Sequence, residues 1–315
     1  MNSILYMAIP CYNEEEVLHE TAKRLEEKYY ELKKNGKISD ESRVVFIDDG
    51  SRDRTWEIIE ELHEQNEMFS GIKLSRNRGH QNALLCGLMT VRELADAVIS
   101  MDADLQDDIN AIDGMIDKYT EGCDVVYGVR SARTTDTFFK RFTAEGFYKL
   151  MNMMGANIVF NHADFRLMSK RALEGFSEFK EVNLFLRGIV PMVGYKSDIV
   201  TYERAERFAG ESKYPLKKML AFAFEGITSL STKPIKLITG IGFIIFAVSI
   251  IMVIYNIIRF FMGATVPGWA SLAVSIWALG GIQLISIGLI GEYIGKIYLE
   301  SKHRPRYIVE KFINK

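Results

Sequence analysis

Short apolar runs that stop at polar clusters dominate the first half of the chain. Ile4 to Ile9 runs up to Pro10, and Val44-Val-Phe-Ile47 stops at Asp48-Asp-Gly-Ser51. Gly71-Ile-Lys-Leu74 gives way to Ser75-Arg-Asn-Arg-Gly-His80, and the run from Ala97 to Met101 ends at Asp102-Ala-Asp-Leu-Gln-Asp107. Each run has the length of a strand and the continuous apolar character of one covered on both faces. Between them lie helical stretches: a Glu- and Leu-rich segment to Lys34 closed by Asn35-Gly36, then Thr55 to Glu67, Gln81 to Leu94 and Ile109 to Thr120. Asp124 to Val129, ending in Arg130, reads as a further strand. The alternation predicts an α/β fold with a parallel, doubly wound sheet, and such sheets bind ligands at their carboxyl edge.

The last third has a different pattern. Leu237 to Ile258 carries no charge, and neither does Phe260 to Gly291. A membrane-spanning helix needs ~20 mostly apolar residues, so two spans are expected, at about 235–259 and 268–291, joined by a turn at Gly263 to Gly268. Lys213, Lys217, Lys218, Lys233 and Lys236 precede them, Lys296, Lys302, Arg304 and Arg306 follow, and the turn has only Arg259 at its edge. This bias predicts that both termini lie in the cytoplasm of a multi-pass inner or plasma membrane protein. The expected plan is a cytoplasmic domain over 1–212, an amphipathic juxtamembrane segment over 213–234, the spans within 235–291 and a basic cytoplasmic tail over 292–315. Residues 138–154 mix Phe138, Phe139, Phe142, Phe147, Tyr148, Leu150 and Met151 with Lys140, Arg141 and Lys149, which fits an interfacial helix and a core helix equally well.

Charge sharpens this division. Residues 213–315 hold 12 Lys/Arg and 4 Asp/Glu, while residues 1–212 hold 27 and 37. The acidic portion argues against nucleic acid as a partner, and the basic one beside apolar spans points to a membrane surface. Cys11, Cys86 and Cys123 show no zinc, redox or disulfide spacing, which suits a reducing cytosolic face. No basic segment precedes an apolar run at the N-terminus, so no cleaved signal peptide is expected. The glycine-rich loops of dinucleotide enzymes and P-loop NTPases are both absent.

The chemistry gathers at the strand ends. Asp102 and Asp104 place two hard oxygen ligands at one strand end, a set that suits Mg²⁺ or Mn²⁺ shared with substrate phosphates. Asp-x-Asp alone favours an acidic, solvated turn, and the metal reading gains weight only from what surrounds it. Arg130, Arg133 and Arg166 are candidates for a phosphate, since a guanidinium can grip it with two hydrogen bonds; each by itself also reads as a surface ion-pair partner, and for Arg133 that is the better reading.

Ile9-Pro-Cys-Tyr-Asn-Glu-Glu15, Asp48-Asp-Gly-Ser51, Arg76-Asn77 with Gly79, Asp102-Ala-Asp-Leu-Gln-Asp107, Asp164-Phe-Arg-Leu167 and Gly210-Glu-Ser-Lys-Tyr214 occur in this order along the chain. In order and spacing they resemble the family 2 glycosyltransferases. With two C-terminal spans, the chain resembles the bacterial polyprenyl-phosphate (bactoprenol) glycosyltransferases, relatives of dolichol-phosphate mannose synthase. The resemblance implies a Rossmann-like GT-A nucleotide-sugar-binding domain. It implies that Asp104, with Asp102 and Gln106, holds Mg²⁺ or Mn²⁺ across the donor diphosphate, and that Asp49 contacts the nucleoside. Pro10, Tyr12, Asn13 and Glu14 would wrap the base and ribose, with Arg76 in the same donor set. Asp164 would sit near metal or sugar, and Ser212 and Lys213 would close as a lid. Two departures touch loop shape and donor identity: Asp108 and Ile109 stand where the family often has two prolines, and Arg78 where it often has an aromatic residue.

The implied reaction is inverting transfer of one sugar, by default glucose from UDP-glucose, to undecaprenyl or polyprenyl phosphate, yielding a lipid-linked donor for cell-envelope glycans. Absence of the Gln-x-x-Arg-Trp signature argues for single-sugar transfer. A lipid monophosphate has a second pKa near ~6 and attacks without a strong base, so Arg130, Arg133 and Arg166 are assigned to guiding it, and His80 and His162 to structure. An apolar two-span surface also permits a homo-oligomer. Two other classes compete: a membrane-bound nucleotidyltransferase, which would carry a glycine-rich loop that Pro10-Cys-Tyr-Asn-Glu14 does not supply, and a non-catalytic scaffold, which would not need both Asp102 and Asp104.

Overall fold

A computed structural model describes residues 2–131, 162–203, 224, 226–229, 231–262 and 268–314. They fall into two compact units. One contains the described residues up to Glu203 together with Arg304–Asn314, and the other the described residues between 224 and 303. Arg133, the aromatic segment 138–154, the lid residues Ser212 and Lys213, the lysines 217 and 218 and the turn at 263–267 lie outside the described residues.

The first unit alternates strand and helix through β1 (Leu5–Cys11), α1 (Leu18–Lys34), β2 (Arg43–Asp48), α2 (Thr55–Gln65), β3 (Phe69–Leu74), α3 (His80–Val91), β4 (Ala97–Ser100), α4 (Ala111–Thr120) and β5 (Val125–Arg130). It continues with β6 (His162–Ser169), α5 (Lys170–Ser177), α6 (Leu186–Met192) and β7 (Ser197–Tyr202). Every residue of β1 is buried, as its apolar run requires in a strand covered on both faces. Met7, Ile9, Val44 and Phe46 pack with Leu18, Leu25 and Tyr29 of α1 and with Ile99 of β4 in one apolar core.

The sheet order is β7-β5-β6-β4-β1-β2-β3-β8, where β8 is Val309–Ile313. β3, β2, β1 and β4 are parallel, as the alternation predicts. An all-parallel sheet is not what forms, however. β6 runs antiparallel to both β4 and β5, and β8 antiparallel to β3. A strand's apolar pattern records how deeply it is covered and carries no sign for its direction, so the reversals were invisible in the chain. The tail also departs from the reading as a plain basic segment. Its last residues cover the β3 edge, which would otherwise present open N–H and C=O groups, and Ser75 N–H donates to Ile308 O at 3.0 Å.

Pro10 was read as the end of the first strand, yet β1 continues to Cys11. β4 stops at Ser100, opposite Ala8, so Pro10 is paired with β2 alone and its missing N–H breaks no bond to β4.

The second unit contains two long helices, α7 (Lys233–Phe261, 29 residues) and α8 (Trp269–Ser301, 33 residues). Within them Lys233–Met252 and Leu279–Ser301 are long and apolar enough to cross a membrane, with mean hydropathies of 2.4 and 1.3. Their described apolar side chains, such as Phe243, Ile251, Leu284 and Ile285, are exposed. Polar ties lie near one end, where Lys296 Nζ donates to Thr228 Oγ1 at 2.6 Å and Ser229 Oγ at 2.8 Å.

Candidate active site

The order β3-β2-β1-β4 reverses direction of growth at β1, and the crevice beyond the carboxyl ends of β1 and β4 is where such a sheet binds its ligand. The loop after β1 borders it and is laced to the loop after β2. Asn13 N–H donates to Ser51 Oγ at 3.0 Å, Asn13 Oδ1 accepts from Arg52 N–H at 2.9 Å, and Glu14 N–H donates to Thr55 Oγ1 at 2.9 Å. Tyr12 stays exposed beside them. Gly50 has a positive φ of 67° and passes so close to the Arg76–Asn77 backbone that a Cβ there would meet Arg76 C at 2.7 Å. Only glycine fits that crossing.

Asp49 orders the backbone of the neighbouring loop. Its Oδ1 accepts from Arg78 N–H at 2.7 Å and its Oδ2 from Gly79 N–H at 2.8 Å, so this buried carboxylate shapes the loop that carries Arg76. The oxygen left over at this strand end belongs to Asp48: its Oδ1 takes Ser51 N–H at 3.0 Å, and its Oδ2 is buried with no hydrogen-bond partner. Burial raises both carboxyls above the ordinary carboxylate range.

Asp102 and Asp104 follow β4. Asp104 Oδ1 accepts from Gln106 N–H at 3.2 Å, and Leu105 between them has a φ of +57°, a conformation that costs a leucine strain. Asp102 Oδ1 is shielded, takes no hydrogen bond and lies 3.4 Å from His80 Nε2. Burial pushes the Asp102 carboxyl up to about 6; His80 opposes this, while Asp164, Asp107 and Asp104 add to it. An edge that crowds carboxylates and leaves a shielded oxygen without a hydrogen bond fits the divalent cation the resemblance implies. Among the described residues no three His, Cys, Asp or Glu side chains form a closed metal cage.

The antiparallel β6 brings in the next group. Its register pairs Ser100 with Arg166, which carries Asp164 alongside the Asp102 end of β4, and Ser100 Oγ donates to Asp164 O. Arg166 is almost fully buried, donates from Nη2 to Asp164 Oδ1 at 2.5 Å, and keeps Nε and Nη1 without partners. A buried guanidinium with unmet N–H groups is costly unless an anion meets them. Burial pulls its pKa below the ordinary arginine value.

Sequence reasoning missed two members of this cluster. Arg187, in the first turn of α6, donates from Nη2 to Asp164 Oδ2 at 3.1 Å. His80, assigned to structure, lies 3.9 Å from Asp164 Oδ2 as well as near Asp102. Burial alone would raise the Asp164 carboxyl, but Arg187, then Arg166 and His80, hold it well below the usual carboxylate range. Gln81, next to His80, fixes the start of α6 by accepting Leu186 N–H at 2.9 Å through Oε1. No local motif marks Arg187; the one signal was an arginine after the apolar Leu184-Phe-Leu186 stretch.

Acidic strand ends on β2 and β4 and the guanidinium groups of Arg166 on β6 and Arg187 on α6 therefore share one edge of an α/β sheet. Residues 6–176 match Glycosyl transferase family 2, and the chain belongs to that family. It is a glycosyltransferase of the GT-A fold class, which sets aside the nucleotidyltransferase and scaffold readings. Residues 233–297 match the GtrB C-terminal hairpin. Over almost its whole length the chain is 44% identical to the "Bactoprenol glucosyl transferase" of Shigella phage SfV, covering 96% of this chain and 97% of that protein. It is 54% identical to the "Uncharacterized glycosyltransferase YkoT" of Bacillus subtilis, covering 98% and 91%. Among solved structures, the mannosyltransferase PcManGT from Pyrobaculum calidifontis, in complex with GDP-Man and Mn²⁺, is 16% identical with a TM-score of 0.47, covering 93% and 88%.

Proposed function

We propose that this glycosyltransferase moves one sugar from a nucleotide sugar to the phosphate of a polyprenyl phosphate, with inversion at the anomeric carbon. The observation that carries this reading is the division of charge along one sheet edge. Carboxylates end β2 and β4, while Arg166, Arg187 and Arg130 stand toward the β6 and β5 side. The first set suits a metal-bound diphosphate and the second a free phosphate monoester. Relatives named bactoprenol glucosyl transferase support the lipid acceptor and make UDP-glucose the first donor to test.

On the donor side, the Pro10–Glu14 loop with Tyr12 and Asn13 cradles the nucleoside. Asp49 and Arg76 support this cradle through the Arg78–Gly79 turn. Asp102, Asp104 and Gln106 would hold Mg²⁺ or Mn²⁺, which when bound neutralises charge on the departing diphosphate. On the acceptor side, Arg166 and Arg130, with Arg187 and Arg133, orient the lipid phosphate. A phosphate oxygen attacks the anomeric carbon from the face opposite the diphosphate; the new C–O bond forms as the donor's C–O bond breaks. No proton has to move, because the attacking phosphate is already largely dianionic at neutral pH.

The two apolar helices span the cell membrane, with the catalytic domain and both termini cytoplasmic, and their exposed apolar faces allow self-association. Their uncovered side chains suit lipid as solvent far better than water.

The test uses the full chain in liposomes with undecaprenyl phosphate and a panel of radiolabelled nucleotide sugars, followed by organic extraction. Lipid-soluble label that disappears with EDTA and returns with Mg²⁺ or Mn²⁺ is expected. No lipid-soluble label with any donor overturns the acceptor, and an undiminished rate in EDTA overturns the metal.

A further inference from the structure

The loop after β4 does not end its work at the carboxylates. Strained Leu105 turns the backbone, and two residues later Asp107 is almost fully buried. Asp107 Oδ1 accepts from the hydroxyl of Tyr202 and lies 3.5 Å from Arg130 Nη2. The same tyrosine hydroxyl accepts from Arg130 Nε at 3.3 Å. Tyr202 O also accepts from Ser131 N–H at 2.9 Å and Ser131 Oγ at 3.1 Å. The last residue of β7 thus grips the end of β5 through both its carbonyl and its hydroxyl.

Topology explains why these groups meet. β6 reverses direction between β4 and β5, and β7 is parallel to β5, so β4, β5 and β7 all end at the same edge. Phe165 of β6 packs edge-on against the Tyr202 ring, with centroids 5.4 Å apart, which leaves that ring little room to turn. An arginine side chain has several rotatable bonds and loses much rotamer freedom when ordered. Here that ordering is built in before any ligand arrives, the condition under which a phosphate contact contributes most to affinity.

We infer that Asp107 and Tyr202 are positioning residues that hold the Arg130 guanidinium for the acceptor phosphate. The loop that offers Asp102 and Asp104 to the donor therefore also supports the acceptor side. The inference rests on the acceptor reading above, and the experiment separates the two.

Steady-state kinetics are measured on the full chain in liposomes, with undecaprenyl phosphate and the nucleotide sugar that supports transfer. Tyr202→Phe keeps the ring and removes only the hydroxyl; Asp107→Asn keeps shape and removes the charge. Each should raise KM for undecaprenyl phosphate about tenfold, as expected for a lost hydrogen bond to a charged group, and leave KM for the nucleotide sugar unchanged. In an Arg130→Ala background, Tyr202→Phe should add nothing further, because what it positions is gone. A purely structural role would instead lower Tm and kcat without dividing the two KM values. If Arg130→Ala raises KM for the lipid but Tyr202→Phe and Asp107→Asn do not, or if their effects multiply with it, the inference falls and the acceptor reading stands. If Arg130→Ala leaves KM for the lipid unchanged, both fall together.

Discussion

The two ends of β6 carry chemically similar acid–arginine clusters that serve different ends. Near its start, Asp164 is held by Arg166 and Arg187; at its finish, Asp124 is held by Ser169 and Arg171. At the far end the capacity is filled. Asp124 Oδ1 accepts from Ser169 Oγ at 2.9 Å and Arg171 Nε at 3.2 Å, Oδ2 accepts from Arg171 Nη2, and Arg171 is mostly in water over the Tyr195 ring. At the near end it is not: Arg166 Nε and Nη1 are shielded without hydrogen-bond partners, and Asp102 Oδ1, 3.4 Å from His80 Nε2, takes no hydrogen bond. In the proposed reaction the hydrogen-bonding capacity left over in a shielded place is what meets substrate, whereas a saturated bridge at the surface is a strap.

The largest effect should come from the near edge. Asp104→Asn removes a ligand charge without changing volume, and transfer to lipid should fall roughly 10³-fold with Tm unchanged. Activity near wild type in Mg²⁺ or Mn²⁺ would sink the metal assignment. Arg166→Met comes next. It keeps the volume but removes the unmet N–H groups, so kcat should fall about 100-fold. Stability should drop only about 1–3 kcal/mol, because Asp164 keeps Arg187, and a urea titration measures it. Arg187→Ala should lower kcat about tenfold with little change in Tm, since this arginine is partly exposed.

The smallest effect belongs to the far end. Arg171→Ala should leave kcat untouched and lower Tm slightly; a loss of transfer matching that of Arg187→Ala would erase the distinction between the two clusters. Its pH dependence has a definite sign. Burial would raise the Asp124 carboxyl, but Arg171 and Ser169 outweigh it and depress the pKa. The stability this gives is present above the unfolded value of ~3.9 and is lost as pH falls through the lower folded value. The Tm gap between wild type and Arg171→Ala should therefore hold from pH 7 to about 4 and narrow below that. A gap that widens in acid would contradict the assignment.

Much of this protein was legible along the chain. The strand–helix alternation, the strand ends at Asp48 and Asp102, and the two long apolar helices are local patterns: each reflects how a short segment must be covered or solvated, which residue types alone determine. Family membership is likewise written in motifs, each confined to a few neighbouring residues. What only the tertiary structure decided depends on partners far apart in the chain. Antiparallel β6 brings Asp164 to Asp102 across 62 positions, and Arg187 reaches Asp164 because Gln81, 105 positions before Leu186, pins the start of α6. Asp49 shapes a loop and Asp48 keeps the unpartnered oxygen because of where the Arg78–Gly79 backbone passes. The tail becomes β8 because β3 has an open edge to cover. Strand direction and side-chain partners are chosen by packing across the whole sheet, and no window of residues along the chain contains that choice.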